Sequence, residues 1–184
     1  MTFRKIIYIG CLALIIAVVA MVHQHGLKVS AKEETGRTLV VSLINAKGEE
    51  VGQAMLTETV KGVRIALQAE GLTPGIHAIH FHEFGTCTPP DFMSAGGHFN
   101  PYQKQHGLKN PLGPHAGDMS NVFADSHGRV KTIVFNPRVT LEIGKPNSLR
   151  DADGSALIIH ERGDDQRTDP DGNAGARVLC GVIK

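Results

Sequence analysis

The chain has 184 residues, 41% of them hydrophobic and 20% charged, which suits one globular domain plus a short appendage and argues against two domains. A formal net charge of +1 with no Lys/Arg block excludes nucleic acid as a bulk electrostatic partner. Aromatic residues at 5% beside 21 glycines favour a loop-rich β protein over a helical bundle.

At the N-terminus, Arg4 and Lys5 precede an uncharged apolar run of 17 residues from Ile6 to Val22. A charged start followed by an apolar run is the pattern of an export signal, whose apolar region usually spans about 7–15 residues, whereas a membrane-crossing helix needs roughly 17–25. Residues 1–22 are therefore read as a signal peptide or an N-terminal membrane anchor, with Ala20 or Ala31 as the small residue at a cut. Gly10-Cys11 resembles the end of a lipoprotein signal, but only about five apolar residues precede Cys11 and the run continues past it. Residues 23–37 are polar and unpatterned and read as a linker, with His23 and His25 in a solvated tail.

From Thr38 the punctuation changes to short β runs. "TLVVSLIN", "VGQAMLTETV" and "VRIALQAEGL", separated by the turns "AKGEE" and "KG", predict a three-stranded antiparallel meander. A histidine-rich strand follows in "IHAIHFHEFGTC", and later strands are expected in "NVFAD", "VKTIVFN", "SALIIHE" and "ARVLCGVI". About eight short strands fit a sandwich or barrel. Two segments, 86–120 and 162–175, carry no strand pattern, and unpatterned loops that long in a compact domain are usually functional.

Strand side chains alternate faces, so His80 and His82 point the same way and can share one ion, while Phe81 faces the opposite side and His77 points elsewhere. The first long loop adds His98, His106, His115 and Asp118, and the strand "SALIIHE" adds His160. With no paired-cysteine motif, this set describes nitrogen-rich ligation, suited to copper and zinc. It is too large for one ion, and a histidine using both ring nitrogens would give two adjacent four-coordinate sites.

In chain order, "HFHEFG", "SAGGHFNP", "HGLKNPLGPHAGD", "IIHERGDD" and "GNAGARVLCGVI" resemble the motif series of the copper/zinc superoxide dismutases, bacterial exported type, over essentially all of 38–184. The resemblance implies an all-β fold, an eight-stranded antiparallel Greek-key β-sandwich or barrel with two long functional loops. It implies one copper ion and one zinc ion per chain, with copper at His80, His82, His98 and His160. Zinc would lie at His98, His106, His115 and Asp118, and His98 would bridge the two. Asp164 matches the carboxylate linking His80 to His106, Arg177 the guanidinium that receives an anionic substrate, and His77 a structural histidine. The implied reaction converts two superoxide anions to dioxygen and hydrogen peroxide, with Arg177 and His98 as the catalytic pair. Zinc, a d¹⁰ ion, would be structural while copper changes oxidation state. "RGDDQRTDPDGNAG" departs from the guiding loop of the animal enzymes, and Arg162 and Arg167 are candidates for steering superoxide.

Cys87 and Cys180 are expected to pair in an exported domain, and in the family this bridge anchors the long loop to the barrel. The expected location is extracytoplasmic, either secreted or periplasmic, or attached to the outer face of the cytoplasmic membrane through residues 6–22; a homodimer is left open. The competing reading is a copper/zinc-binding domain of the same fold that turns nothing over, since fold alone does not carry activity. A zinc hydrolase fits less well, because catalytic zinc keeps an open position and the implied zinc set is closed.

Overall fold

A computed structural model describes residues 36–184, so the expected signal or anchor and nearly all of the expected linker lie outside the described residues. The linker's last two residues already belong to the domain. The Arg37 carbonyl accepts from the Glu58 amide at 2.8 Å, and Arg37 Nη1 donates to the Leu141 carbonyl at 2.7 Å.

Nine strands follow in chain order: β1 (Thr38–Asn45), β2 (Glu50–Thr59), β3 (Gly62–Ala69), β4 (Gly75–His77), β5 (Ile79–His82), β6 (Val122–Ala124), β7 (Val130–Asn136), β8 (Ser155–His160) and β9 (Arg177–Ile183). Seven form one antiparallel sheet in the order β5-β8-β9-β1-β2-β3-β7, and β4 pairs with β6 in a second, two-stranded sheet. The meander β1–β2–β3 is as the sequence predicts, and the return of β8–β9 beside β1 completes the Greek key. Among the described residues there is no α-helix, and no helix is long and apolar enough to cross a membrane.

The count is nine and not eight because the histidine run breaks at Ala78. Its amide donates to the Arg162 carbonyl and its carbonyl accepts from the His160 amide, so the chain changes partners there. Ile76 pairs with Phe123 in the small sheet, and Ile79 pairs with Ile159 in the large one. A third long connection, 137–154, also lacks strands and was not singled out by pattern. It carries the chain from β7 at one sheet edge to β8 near the other, and it buries Val139, Leu141 and Leu149 in the core.

Alternation supplies the core. Leu43, Leu56, Ile65, Phe81, Leu157 and Leu179 turn inward into one buried cluster, each removing apolar surface from water. A smaller cluster of Phe92, Ala95, Ala156, Ile158 and Cys180 seats the first long loop on β8 and β9. A Cys87–Cys180 disulfide, Cα atoms 5.7 Å apart, fastens the same contact.

Candidate metal centre

β5 is the last strand of its sheet, and its free edge is where the site is built. The first long loop runs back along that edge: the Phe81 amide donates to the Gly117 carbonyl, the Phe99 amide to the Phe81 carbonyl, and the Glu83 amide to the Gly97 carbonyl. Short bridges then set His82 against His98 and His80 against Asp118. Residues far apart in sequence are thereby stacked at strand spacing. On the other side of β5, β8 brings His160 to the same place, and Phe81, pointing the opposite way, sits in the core.

Two groups of potential ligand atoms result, each within 4.8 Å of one another: His80, His82, His98 and His160; and His98, His106, His115 and Asp118. His98 belongs to both, and all seven residues are buried. Every histidine but the shared one turns one nitrogen inward and has the other beside a protein acceptor. His80 Nε2 donates to Asp164 Oδ2 at 3.0 Å, His82 Nδ1 to the Gly96 carbonyl at 3.1 Å, and His160 Nδ1 to the Gly175 carbonyl at 3.3 Å. His106 Nε2 donates to Asp164 at 3.0 Å, and His115 Nε2 lies 3.9 Å from Asp169 Oδ1. These outer partners fix ring orientation and tautomer, as they do around bound metals.

The inward atoms test whether a metal fits. His80 Nδ1 and His98 Nε2 are buried without a protein hydrogen-bond partner, which is costly unless something else satisfies them. His82 Nε2 and His160 Nε2 face each other at 3.4 Å, as do the Nδ1 atoms of His98 and His115. Asp118 Oδ1 lies 3.0 Å from His98 Nδ1 and 3.1 Å from His106 Nδ1. Lone pairs converging on a shared centre are what a cation requires, so the residues fit one metal in each group.

Titration agrees. Burial lowers His98 to about 4 against the pull of Asp118, lowers His160 to about 3 with help from His80, and holds His82 well below its ordinary value. These rings are neutral near pH 7 and offer lone pairs. Burial opposes charge on His106 too, but the Asp118 and Asp164 carboxylates outweigh it and raise this ring to about 9. Hydrogen bonds from those histidines in turn hold both carboxyl groups far below their ordinary value despite burial.

Arg177 stands directly opposite His160 across β8 and β9, at a bulge between Ile159 and His160. Its Nη1 donates to the Phe92 carbonyl at 2.8 Å and its Nη2 to the Gly96 carbonyl at 2.6 Å. Phe92 is left-handed at φ 56°, uncommon for a side chain of that size, and its buried ring packs beside Cys180. Thus one carbonyl, Gly96, orients both Arg177 and His82. A cleft of about 950 Å³ opens over His82, His98, His160 and Arg177, with Lys47 and Asp171 on its wall. Neither Arg162 nor Arg167 lines it. His77 is apart from both groups, its ring clamped between the His160 and Thr73 carbonyls at 2.7 Å each.

Other supports were not visible from pattern. Asn121 exchanges hydrogen bonds with the Asp164 backbone, Asp169 Oδ1 accepts from the His106 amide at 2.6 Å, and Arg138 donates to the Asp118 carbonyl. Gly172, at φ 66°, passes so close to Asp164 and His106 that a Cβ there would overlap both.

A Greek-key β protein with two histidine-rich nests joined through one imidazole is, by class, a dinuclear metalloprotein. The family model of copper/zinc superoxide dismutase matches residues 50–183. The chain is 54% identical over 143 residues to superoxide dismutase [Cu-Zn] 1 of Aquifex aeolicus, covering 77% of this chain and 85% of that one. It is 46% identical over 139 residues to superoxide dismutase [Cu-Zn] of Caulobacter vibrioides, covering 74% and 80%. Among solved structures, a superoxide dismutase-like protein from Bacillus subtilis is similar at TM-score 0.76 and 43% identity, covering 79% of this chain and 97% of that one. The Brucella abortus Cu/Zn superoxide dismutase is similar at TM-score 0.65 and 30% identity, covering 80% and 100%. The chain belongs to the copper/zinc superoxide dismutase family.

Proposed function

We infer that copper is held by His80 Nδ1, His82 Nε2, His98 Nε2 and His160 Nε2, and zinc by His98 Nδ1, His106 Nδ1, His115 Nδ1 and Asp118 Oδ1. The activity is that of the family, conversion of two superoxide anions to dioxygen and hydrogen peroxide. The observation that carries the assignment is the pair of orphaned buried nitrogens, His80 Nδ1 and His98 Nε2, on the copper side of the shared ring. Copper, when bound, supplies the one-electron redox change, which zinc cannot.

The protein's own groups do the rest. Arg177 attracts the anion and, with two of its N–H groups tied to carbonyls, presents the guanidinium in one orientation beside His160. Its charge beside His160 draws a small anion to the histidines, while Lys47 on the cleft wall is balanced by Asp91 and Asp171. His98 Nε2 is the atom that can take up a proton and pass it to the reduced product, while the ring would be held through Nδ1 on the zinc side, beside Asp118 Oδ1. Asp164 accepts from His80 and His106 and so couples the geometry of the two nests.

The disulfide supports a location outside the reducing cytoplasm. Residues 6–22, apolar and preceded by Arg4 and Lys5, are read as the export segment or the anchor to the outer face of the membrane. A homodimer belongs to the same reading and is supported by the exposed cross-strand pair Ile76–Phe123. The test is remetallation of chelator-stripped protein. Dismutation should appear only after copper is added, with one copper and one zinc retained per chain. Full activity with zinc alone, or copper retained without any activity, would overturn the assignment.

A further inference from the structure

The outer face of the sheet carries a feature that the metal chemistry does not use. Across β1, β2, β3 and β7, Val40 stands opposite Met55, Met55 opposite Ala66, and Ala66 opposite Ile133. The alternation that buries Leu56, Ile65 and Val134 turns this row outward, leaving Val40 66%, Ile133 59% and Met55 40% exposed. Single exposed apolar residues are ordinary, but a continuous row is a recognised mark of contact. The row on one side adds Phe135 and Arg64 beside two threonines, and the row on the other adds Lys131 beside a serine and two glutamines. This grid of twelve outward residues holds two cations and no carboxylate. A shallow groove of about 540 Å³ lies along its centre.

We propose that this face docks on an anionic lipid surface. An apolar stripe with Arg64 on one flank and Lys131 on the other, the nearest carboxylates Glu50, Glu70 and Asp125 lying beyond Lys131 at the border of the grid, matches the boundary between acyl chains and negatively charged headgroups. A second copy fits poorly. Inside the grid two such faces would bring Arg64 and Lys131 together with no carboxylate to pair them, and the grid spans only about 14 Å by 13 Å between residue centres, against ~800 Å² per partner for a stable interface. The chain also arrives at the right place: β1 begins at Thr38, a corner of the grid, and the 37 preceding residues include the apolar run 6–22. Docking leaves the enzyme open to its substrate, because no grid residue lines the metal cleft and the histidines come from β5, β8 and the long loop along the β5 edge, at the far end of the strand order. Docking through this face does not require residues 6–22 to be retained.

The chain has no tryptophan, so a single introduced one is a clean reporter. Full chains carrying Phe135→Trp, on the grid, or Leu112→Trp, exposed on the first long loop, are mixed with vesicles containing brominated lipid. Phosphatidylcholine vesicles are compared with phosphatidylcholine–phosphatidylglycerol mixtures. The expected result is quenching of the Phe135→Trp reporter in the anionic vesicles, weakened by salt, and none of the Leu112→Trp reporter. Arg64→Gln with Lys131→Gln should reduce this partition about 25-fold, at roughly fivefold per cation. Equal quenching at both positions overturns the proposal. So does shielding of the Phe135→Trp reporter from aqueous acrylamide in the absence of lipid, rising with protein concentration, which assigns the face to a second copy. Pelleting with pure phosphatidylcholine reports residues 6–22 alone, so failure of the tether is read separately from failure of the face.

Discussion

His98 and Arg177 owe their roles to different local facts. His98 was recognisable by its place in "SAGGHFNP", yet what suits it to the proposed bridge is that it belongs to both groups and neither ring nitrogen is spent on an ordinary outer partner. Arg177 owes its position to strand register, opposite His160, and to two carbonyl anchors in the loop. If it guides by charge, Arg177→Lys should keep the rate within about tenfold, while Arg177→Glu should lose on the order of a hundredfold, within the range of electrostatic steering. The wild-type rate should fall as salt rises, because the Debye length is about 10 Å at 0.1 M, and the Glu variant should show the weaker or opposite trend. Stopped-flow decay of superoxide, normalised to bound copper, checks this; equal rates for the two variants at equal copper would remove charge at this position from the mechanism. At this scale the ligand types were legible because His and Asp carry their chemistry in their names. Their supports were not, since Gly96, Gly175 and Phe92 act through backbone carbonyls that any residue possesses.

Among the elements, the first long loop is the one whose order the site needs most, and it is held by the β5 edge, by the Phe92 cluster and by Cys87–Cys180. A cross-link spanning 93 positions stabilises by up to about 4–5 kcal/mol in the chain-entropy model, with real gains smaller. Reduction should therefore lower the unfolding temperature and release zinc earlier in a chelator titration, since His98, His106, His115 and Asp118 all lie in that loop. Zinc release at an unchanged rate would show that the β5 edge and the Phe92 cluster hold the loop without the disulfide. The meander strands were legible because period-two alternation with turn residues has one reading. The break at Ala78 was not, because "IHAIHFH" keeps its pattern straight through it and only the partners change, from β6 to β8. Segment 137–154 was not legible for the converse reason: Val139 and Leu141 are apolar at strand spacing but serve, with Leu149, as a core lid without forming a ladder.

For the molecule as a whole, the buried histidines tie stability to pH once the metals are stripped. His98 and His160, depressed to about 4 and about 3, contribute stability that is present above their unfolded value near 6.5 and is lost as pH falls toward the folded values. His106, raised to about 9, contributes stability that is complete below about 6.5 and lost as pH rises through 9. Urea unfolding of chelated protein should thus be most resistant near pH 6.5–7 and weaken on both sides, by on the order of a few kcal/mol on the acid limb. A flat profile between about pH 7 and pH 4.5 would contradict the burial of neutral rings. The overall topology was legible through the resemblance, because the ordered motifs span the domain, but the outer grid was not, since a face appears only when four strands are laid in register. The division of labour between the nests is tested most directly by His160→Ala, which removes one copper nitrogen and none from zinc. Metal content and dismutation rate are measured together. The expected result is a rate at least about a hundredfold lower with copper depleted, zinc still near one per chain. A variant that keeps most of its activity, or that loses zinc alongside copper, would contradict the two-nest assignment.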